Sequence, residues 1–263
     1  MSLPVAAMHR RPLLLLALWA AAGLSAAAPS VPTIAAASDL QFALDAIAAR
    51  YEKDTGQKVR LTYGSSGNLA RQLEQGAPFD IFLSADESLV VDLAKKGLTM
   101  DGGQLYAIGR IVLFSATPGV FTPDPQMNGL RGALADGRVR KFAIANPEHA
   151  PYGRAAQQAL VAAGLWASVA PRLVVGENVS QAAQFAASGN TQGGIFALSL
   201  ALAPAFAGRG AYVVLPDALH QPLRQRMVLM RRASAEARAF HRMLTEPGAR
   251  QLFKQYGFVL PGE

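Results

Sequence analysis

Four short polar segments each end where an amphipathic helix is due to begin. They are Ala35-Ala36-Ala37-Ser38-Asp39, Tyr63-Gly64-Ser65-Ser66-Gly67-Asn68, Asn146-Pro147-Glu148-His149-Ala150-Pro151-Tyr152-Gly153 and Gly176-Glu177-Asn178-Val179-Ser180. A helix start exposes backbone N–H groups that have no intrahelical acceptor, and it carries the positive end of the helix dipole. Several such starts aimed at one point bind an anion without any cationic side chain. Ser38 and Ser66 can each donate a hydroxyl and a backbone N–H. Tyr152 follows Pro151 at the third helix start with a free N–H, and Val179 can offer only its backbone. Gly64 and Gly67 permit close backbone approach. Taken singly, a serine at a helix start is a cap; the joint arrangement points to an oxyanion site, and so to a binding protein rather than an enzyme.

Other chemistry is sparse. His149, His220 and His241 are available for a Ser-His-Asp arrangement, which leaves an exported serine hydrolase using Ser66 or Ser38 as the alternative. The segment Gly64-Ser65-Ser66-Gly67 lacks the Gly-x-Ser-x-Gly spacing of a nucleophile elbow. No histidine or carboxylate cluster has metal-ligand spacing. The chain has no cysteine, which removes a lipoprotein anchor, disulfides and thiolate chemistry together. Its formal charge is +7, but the basic residues are scattered among acids, without the basic stripe a nucleic-acid partner requires.

The elements that must position these segments follow from periodicity. His9-Arg10-Arg11, the apolar run 13–22 and the small residues after it have the form of a secretory signal peptide. The run is too short to span a bilayer. Cleavage is placed after Ala27, which sends the mature chain to the periplasm. From there strands and helices alternate: strand 31–36, helix 39–53, strand 59–63, helix 68–75, strand 79–83, helix 87–96. A strong strand lies within 106–115, irregular chain follows over 117–132, and the pattern restarts. Strand 142–145, helix 152–163, strand 172–175, helix 179–187 and strand 193–197 come next, the last leading into a helix through residue 205. Strands 212–215 and 226–230 precede helices 234–244 and 247–256. This alternation predicts parallel sheets with helices on both faces. It divides the chain into residues 1–27 as signal peptide, 28–108 plus 217–263 as lobe I, and 109–216 as lobe II. The chain then crosses between lobes near Gly109 and near Pro216. Ligands of open α/β sheets bind beyond the carboxyl ends of the strands, so two facing lobes make a cleft with helix starts on both walls.

The four segments, with Gly76-Ala77-Pro78-Phe79-Asp80-Ile81-Phe82-Leu83-Ser84-Ala85-Asp86 and Tyr256-Gly257-Phe258, resemble the ModA-type periplasmic molybdate-binding proteins, the substrate-binding components of ABC transporters. The resemblance covers essentially the whole mature chain. It implies a type II periplasmic-binding fold holding molybdate or tungstate between two lobes, with no cofactor. Its partners are the oxyanion and an inner-membrane ABC permease, and the protein is a monomer. Carried over by motif, the ligand residues are Ser38, Ser66, Tyr152 and Val179, with Asp39 contributing its backbone N–H. Some relatives place a tyrosine hydroxyl on the anion where this chain has Ala197, and the Tyr152 hydroxyl is expected to replace that donor. The Asp39 carboxylate is expected to turn away and cap its own helix, because an acid beside a dianion is unfavourable. If it faced the cleft, phosphate would become a credible ligand. Sulfate and phosphate are the competing oxyanions.

Overall fold

The chain passes through two sheets in turn. In the computed structural model residues 1–2, 30–116 and 118–262 are described; the signal-peptide reading of residues 1–27 falls almost wholly outside them. The elements run β1 (Thr33–Ala37), α1 (Gln41–Thr55), β2 (Arg60–Gly64), α2 (Ser66–Glu74), β3 (Ile81–Ser84), α3 (Glu87–Lys95) and β4 (Gln104–Gly109). Then come β5 (Ile111–Ser115), α4 (Asn128–Ala135), β6 (Phe142–Ala145), α5 (Pro151–Ala162), α6 (Trp166–Val169), β7 (Leu173–Gly176), α7 (Val179–Ala187), β8 (Gly193–Ala197), α8 (Leu198–Ala201) and β9 (Ala211–Val214). The chain closes with β10 (Leu223–Leu229), α9 (Ala235–Met243) and α10 (Pro247–Gln255).

The first sheet has the order β2-β1-β3-β10-β4 and the second β7-β6-β8-β5-β9. The segment read as one strand over 106–115 is therefore two strands in two sheets, with Arg110 alone between them. The return passes between Val214 and Leu223. Neither sheet is purely parallel. β1 pairs in parallel with β2 and β3, whereas β10 is antiparallel to β3 and β4. β6 is parallel to β7 and β8, whereas β5 is antiparallel to β8 and β9. The antiparallel strands are the two that follow a crossing, where the chain enters the sheet without a βαβ turn to set its direction.

Strand alternation distributes the cores. In β1, Ile34 and Ala36 face the layer that contains Leu44, Ile47, Phe240 and Phe253 of α1, α9 and α10. Ala35 faces the opposite layer, with Leu69, Leu73, Val90 and Leu93 of α2 and α3. The C-terminal helices thus cover the first sheet, whose own βα units supply too few helices for both faces. Two local readings need correction. The segment 117–132 is not wholly irregular: α4 begins at Asn128, where the Asp124 carboxylate accepts N–H bonds from Gln126, Asn128 and Gly129. The helix expected through residue 205 stops at Ala201, and a separate 3-10 turn runs Pro204–Phe206.

Candidate functional site

The carboxyl ends of β1, β2, β6 and β7 each lead into a helix start, and these starts meet across the seam between the sheets. They line a small cavity of about 10 Å³ whose walls include Ser38, Asp39, Ser66, Tyr152 and Val179, with Ser65 beside them. All five residues singled out in the sequence are thus brought together. None of the described residues lining the cavity is a lysine or arginine.

The local chemistry explains what each start presents. The 3-10 turn Ser38–Leu40 that leads into α1 has no side-chain cap, and neither has α2 or α5. No side chain of their own therefore occupies their first N–H groups, although Gly67 N of α2 and Gly153 N of α5 find backbone acceptors in His149 O and Ala150 O. Pro151 at the head of α5 loses no donor there, since its missing N–H would have been an orphan. Only α7 is capped, with Asn178 Oδ1 accepting from Gln181 N at 3.0 Å. The preceding amide, Ser180 N, donates to Ser38 Oγ at 3.2 Å across the seam. Ser66 Oγ accepts from Ala85 N at 2.9 Å. Both serine hydroxyls thus act as acceptors toward the protein, which leaves their own protons available for a further acceptor.

The seam is bonded shut. Gly67 N donates to His149 O at 3.0 Å, Ser65 Oγ and His149 Nδ1 are 2.9 Å apart, and Ser199 Oγ donates to Asp39 O at 2.7 Å. Arg154 pairs with Asp86 at the lip, in a neighbouring groove rather than among the residues of the cavity wall.

Two expectations about side chains fail. Asp39 does not cap its helix: its Oδ2 lies 2.9 Å from Tyr152 Oη and 2.6 Å from Gln225 Nε2. The Tyr152 hydroxyl does not serve as the replacement for the donor missing at Ala197. It gives its one proton to Asp39 and accepts from Gln225 Nε2 at 3.0 Å. Burial drives this outcome, because a carboxylate removed from water takes whatever donors are within reach. Burial also pushes the Asp39 carboxyl up to about 6, against the lowering effect of Gln225 and then Tyr152. The Tyr152 phenol is held well above its ordinary value, by burial first and then by the Asp39 charge.

Sequence reasoning missed Gln225, which is fully buried on β10 and also accepts from Tyr106 Oη at 2.7 Å. His149, read from the sequence as available to a Ser-His-Asp arrangement, bridges the seam to Ser65 and stands 3.5 Å from Glu177. The bonds recorded for the Ser38 and Ser66 hydroxyls are to backbone amides, not to histidines.

Comparison with known proteins adds an independent line. The family of bacterial extracellular solute-binding proteins matches residues 32–259. The molybdate-binding protein ModA of Azotobacter vinelandii is 35% identical over 230 residues, covering 86% of this chain and 89% of its own. The ModA of Rhodobacter capsulatus is 35% identical over 247 residues, covering 93% and 94%. The solved structure of the Azotobacter vinelandii periplasmic molybdate-binding protein superimposes with a TM-score of 0.80 at 32% identity, covering 88% of this chain and 99% of that one.

Proposed function

Because the chain belongs to the bacterial extracellular solute-binding proteins, and among them to the ModA molybdate-binding proteins, we propose that it captures molybdate, and tungstate, in the periplasm for delivery to an ABC permease. Residues 1–27 act as the export signal, with cleavage after Ala27. The mature protein is a monomer with lobe I formed by 28–108 plus 217–263 and lobe II by 109–216. It needs no cofactor. The donors are the hydroxyls of Ser38 and Ser66 and the backbone amides of Ser38, Asp39, Ser66, Tyr152 and Val179.

The observation that carries this reading is the meeting of uncapped helix starts from both sheets around one small cavity without a cation. Burying a dianion there requires a donor for each oxygen. Hydrogen bonds to a charged group are worth about 1.5–3 kcal/mol each, and each helix end adds roughly 0.3–1 kcal/mol. Five to seven such bonds, less the cost of association, reach micromolar binding or better, about −8 kcal/mol. Neutral donors suit a fully ionised anion; the acceptor in the wall is the Asp39 carboxylate, against which a protonated oxyanion would place its hydroxyl, so phosphate is the competing ligand to test. The test is titration calorimetry of the mature protein with molybdate, tungstate, sulfate and phosphate. Tight binding of the first two and little or none of the others is expected. Comparable affinity for sulfate would overturn the choice of anion, and no heat with any of the four would overturn the function.

A further inference from the structure

Asp39 puts an acid in the wall of a cavity built for anions. The residue is 1% exposed, and its Oδ2 takes bonds from Tyr152 and Gln225. Its Oδ1 is buried with no hydrogen-bond partner among the described residues. The groups that face it come from four directions: Tyr152 on α5, Gln225 on β10, Tyr106 on β4 behind Gln225, and Ser199 on α8 against the Asp39 carbonyl. None is a cation. A dianion seated on the Asp39 amide would therefore stand next to a carboxylate that no positive charge offsets. The cost is removed in one way the geometry permits, since Oδ1 is free to take a proton while Oδ2 keeps both of its donors.

We propose that Asp39 makes capture proton-linked: as the lobes close on a doubly charged oxyanion, Oδ1 takes one proton from solvent, so anion and proton enter together. The inference rests on the oxyanion-binding reading above. Burial alone already favours the protonated carboxyl, and a dianion favours it further. With the lobes apart, Asp39 regains water and ionises. The sign follows. The bound state holds more protons than the free state, so affinity rises as pH falls through the interval between the two Asp39 pKa values. His149 is the other titratable ring at the seam, against Ser65 and near Glu177, and the experiment must separate it from Asp39.

The test is calorimetry with molybdate in buffers of different ionisation enthalpy, between about pH 6.5 and 8. Uptake of about one proton per anion is expected, with Kd weakening by at least about tenfold across that range. In Asp39→Asn the uptake and the pH slope disappear, while His149→Gln retains both. An infrared difference spectrum of the unmutated protein should gain a protonated-carboxyl band when molybdate is added, which reports on the site even if Asp39→Asn fails to fold. Binding without proton uptake, uptake that survives Asp39→Asn, or absence of the carboxyl band overturns the proposal and leaves the binding function standing. Absence of any molybdate binding instead overturns the function on which it rests.

Discussion

Gly67→Ala separates lobe closure from fold stability. Gly67 lies in the first turn of α2, where its N–H reaches His149 O across the seam. A Cβ built there meets His149 O at 2.7 Å and His149 Cα and Cβ at 3.1 Å. Backbone cannot swing aside as a side-chain tip can. To restore an ordinary contact of 3.4 Å the two faces must part by about 0.7 Å. That separation forfeits the Gly67–His149 bond, worth about 1 kcal/mol, and lengthens at least one charge-assisted bond to the anion, worth about 1.5–3 kcal/mol. The sum corresponds to a loss of about two to three orders of magnitude in affinity. The fold responds in the opposite direction. Position 67 is helical with no positive φ, so alanine stabilises α2 by up to about 1 kcal/mol over glycine. Calorimetric titration with molybdate paired with thermal unfolding of the unliganded protein reads both quantities. If Gly67→Ala binds as tightly as the unmutated protein, the anion is not enclosed by this seam.

Three further substitutions probe individual parts. Gly109→Ala would place a Cβ 2.1 Å from Tyr152 Oη and 2.9 Å from Gln225 Nε2, so it should break the Asp39 network at the crossing strand and cost about tenfold or more in affinity; unchanged binding would show the network to be dispensable. Ser66→Ala removes a proposed donor to the anion and also orphans the buried Ala85 N–H; it should weaken molybdate binding by at least about tenfold and lower stability by about 1–3 kcal/mol in denaturant unfolding. Tyr152→Phe keeps the backbone amide at the cavity but withdraws a bond that stabilises the ionised Asp39. Its affinity at about pH 7.5 should stay within about threefold while the pH dependence moves upward. A loss of a hundredfold would mean that the hydroxyl itself touches the anion.

The architecture was legible wherever a single element carried its own period. The apolar spacing of Leu44, Ile47 and Tyr51 marks α1, and Gly56 at φ 73° ends it two residues beyond the expected end at 53. What periodicity does not encode is strand direction. β5 and β10 have the same apolar run whether parallel or antiparallel, and their direction depends on where the chain has just come from. The same blindness joined β4 to β5, because Gly109-Arg110-Ile111 reads as continuous strand although the two ends lie in different sheets. In α4 the start signal sits on Asp124, outside the helix it begins, and Gly129 and Gly132 weaken the helical pattern within.

The site divides along a similar line. Backbone donors at helix starts are written in the local sequence, since serine, glycine and proline beside a helix onset fix which amides are left unpaired, and Ser38, Ser66, Tyr152 and Val179 do meet at one cavity. The side-chain partners are not local. Gln225 lies 186 residues from Asp39 in the chain, on a strand whose register shifts between Gln225 and Arg226. No spacing rule reaches it. A clue existed nonetheless in the conflict at Asp39 itself. An acid adjacent to an anion's donors requires either a cation to offset it, or neutral donors and a proton. The cavity wall offers no cation, and Tyr152 and Gln225 supply neutral donors to one oxygen only. The second oxygen is left to the solvent proton. A residue that looks misplaced for binding a dianion is thereby the one that ties binding to pH.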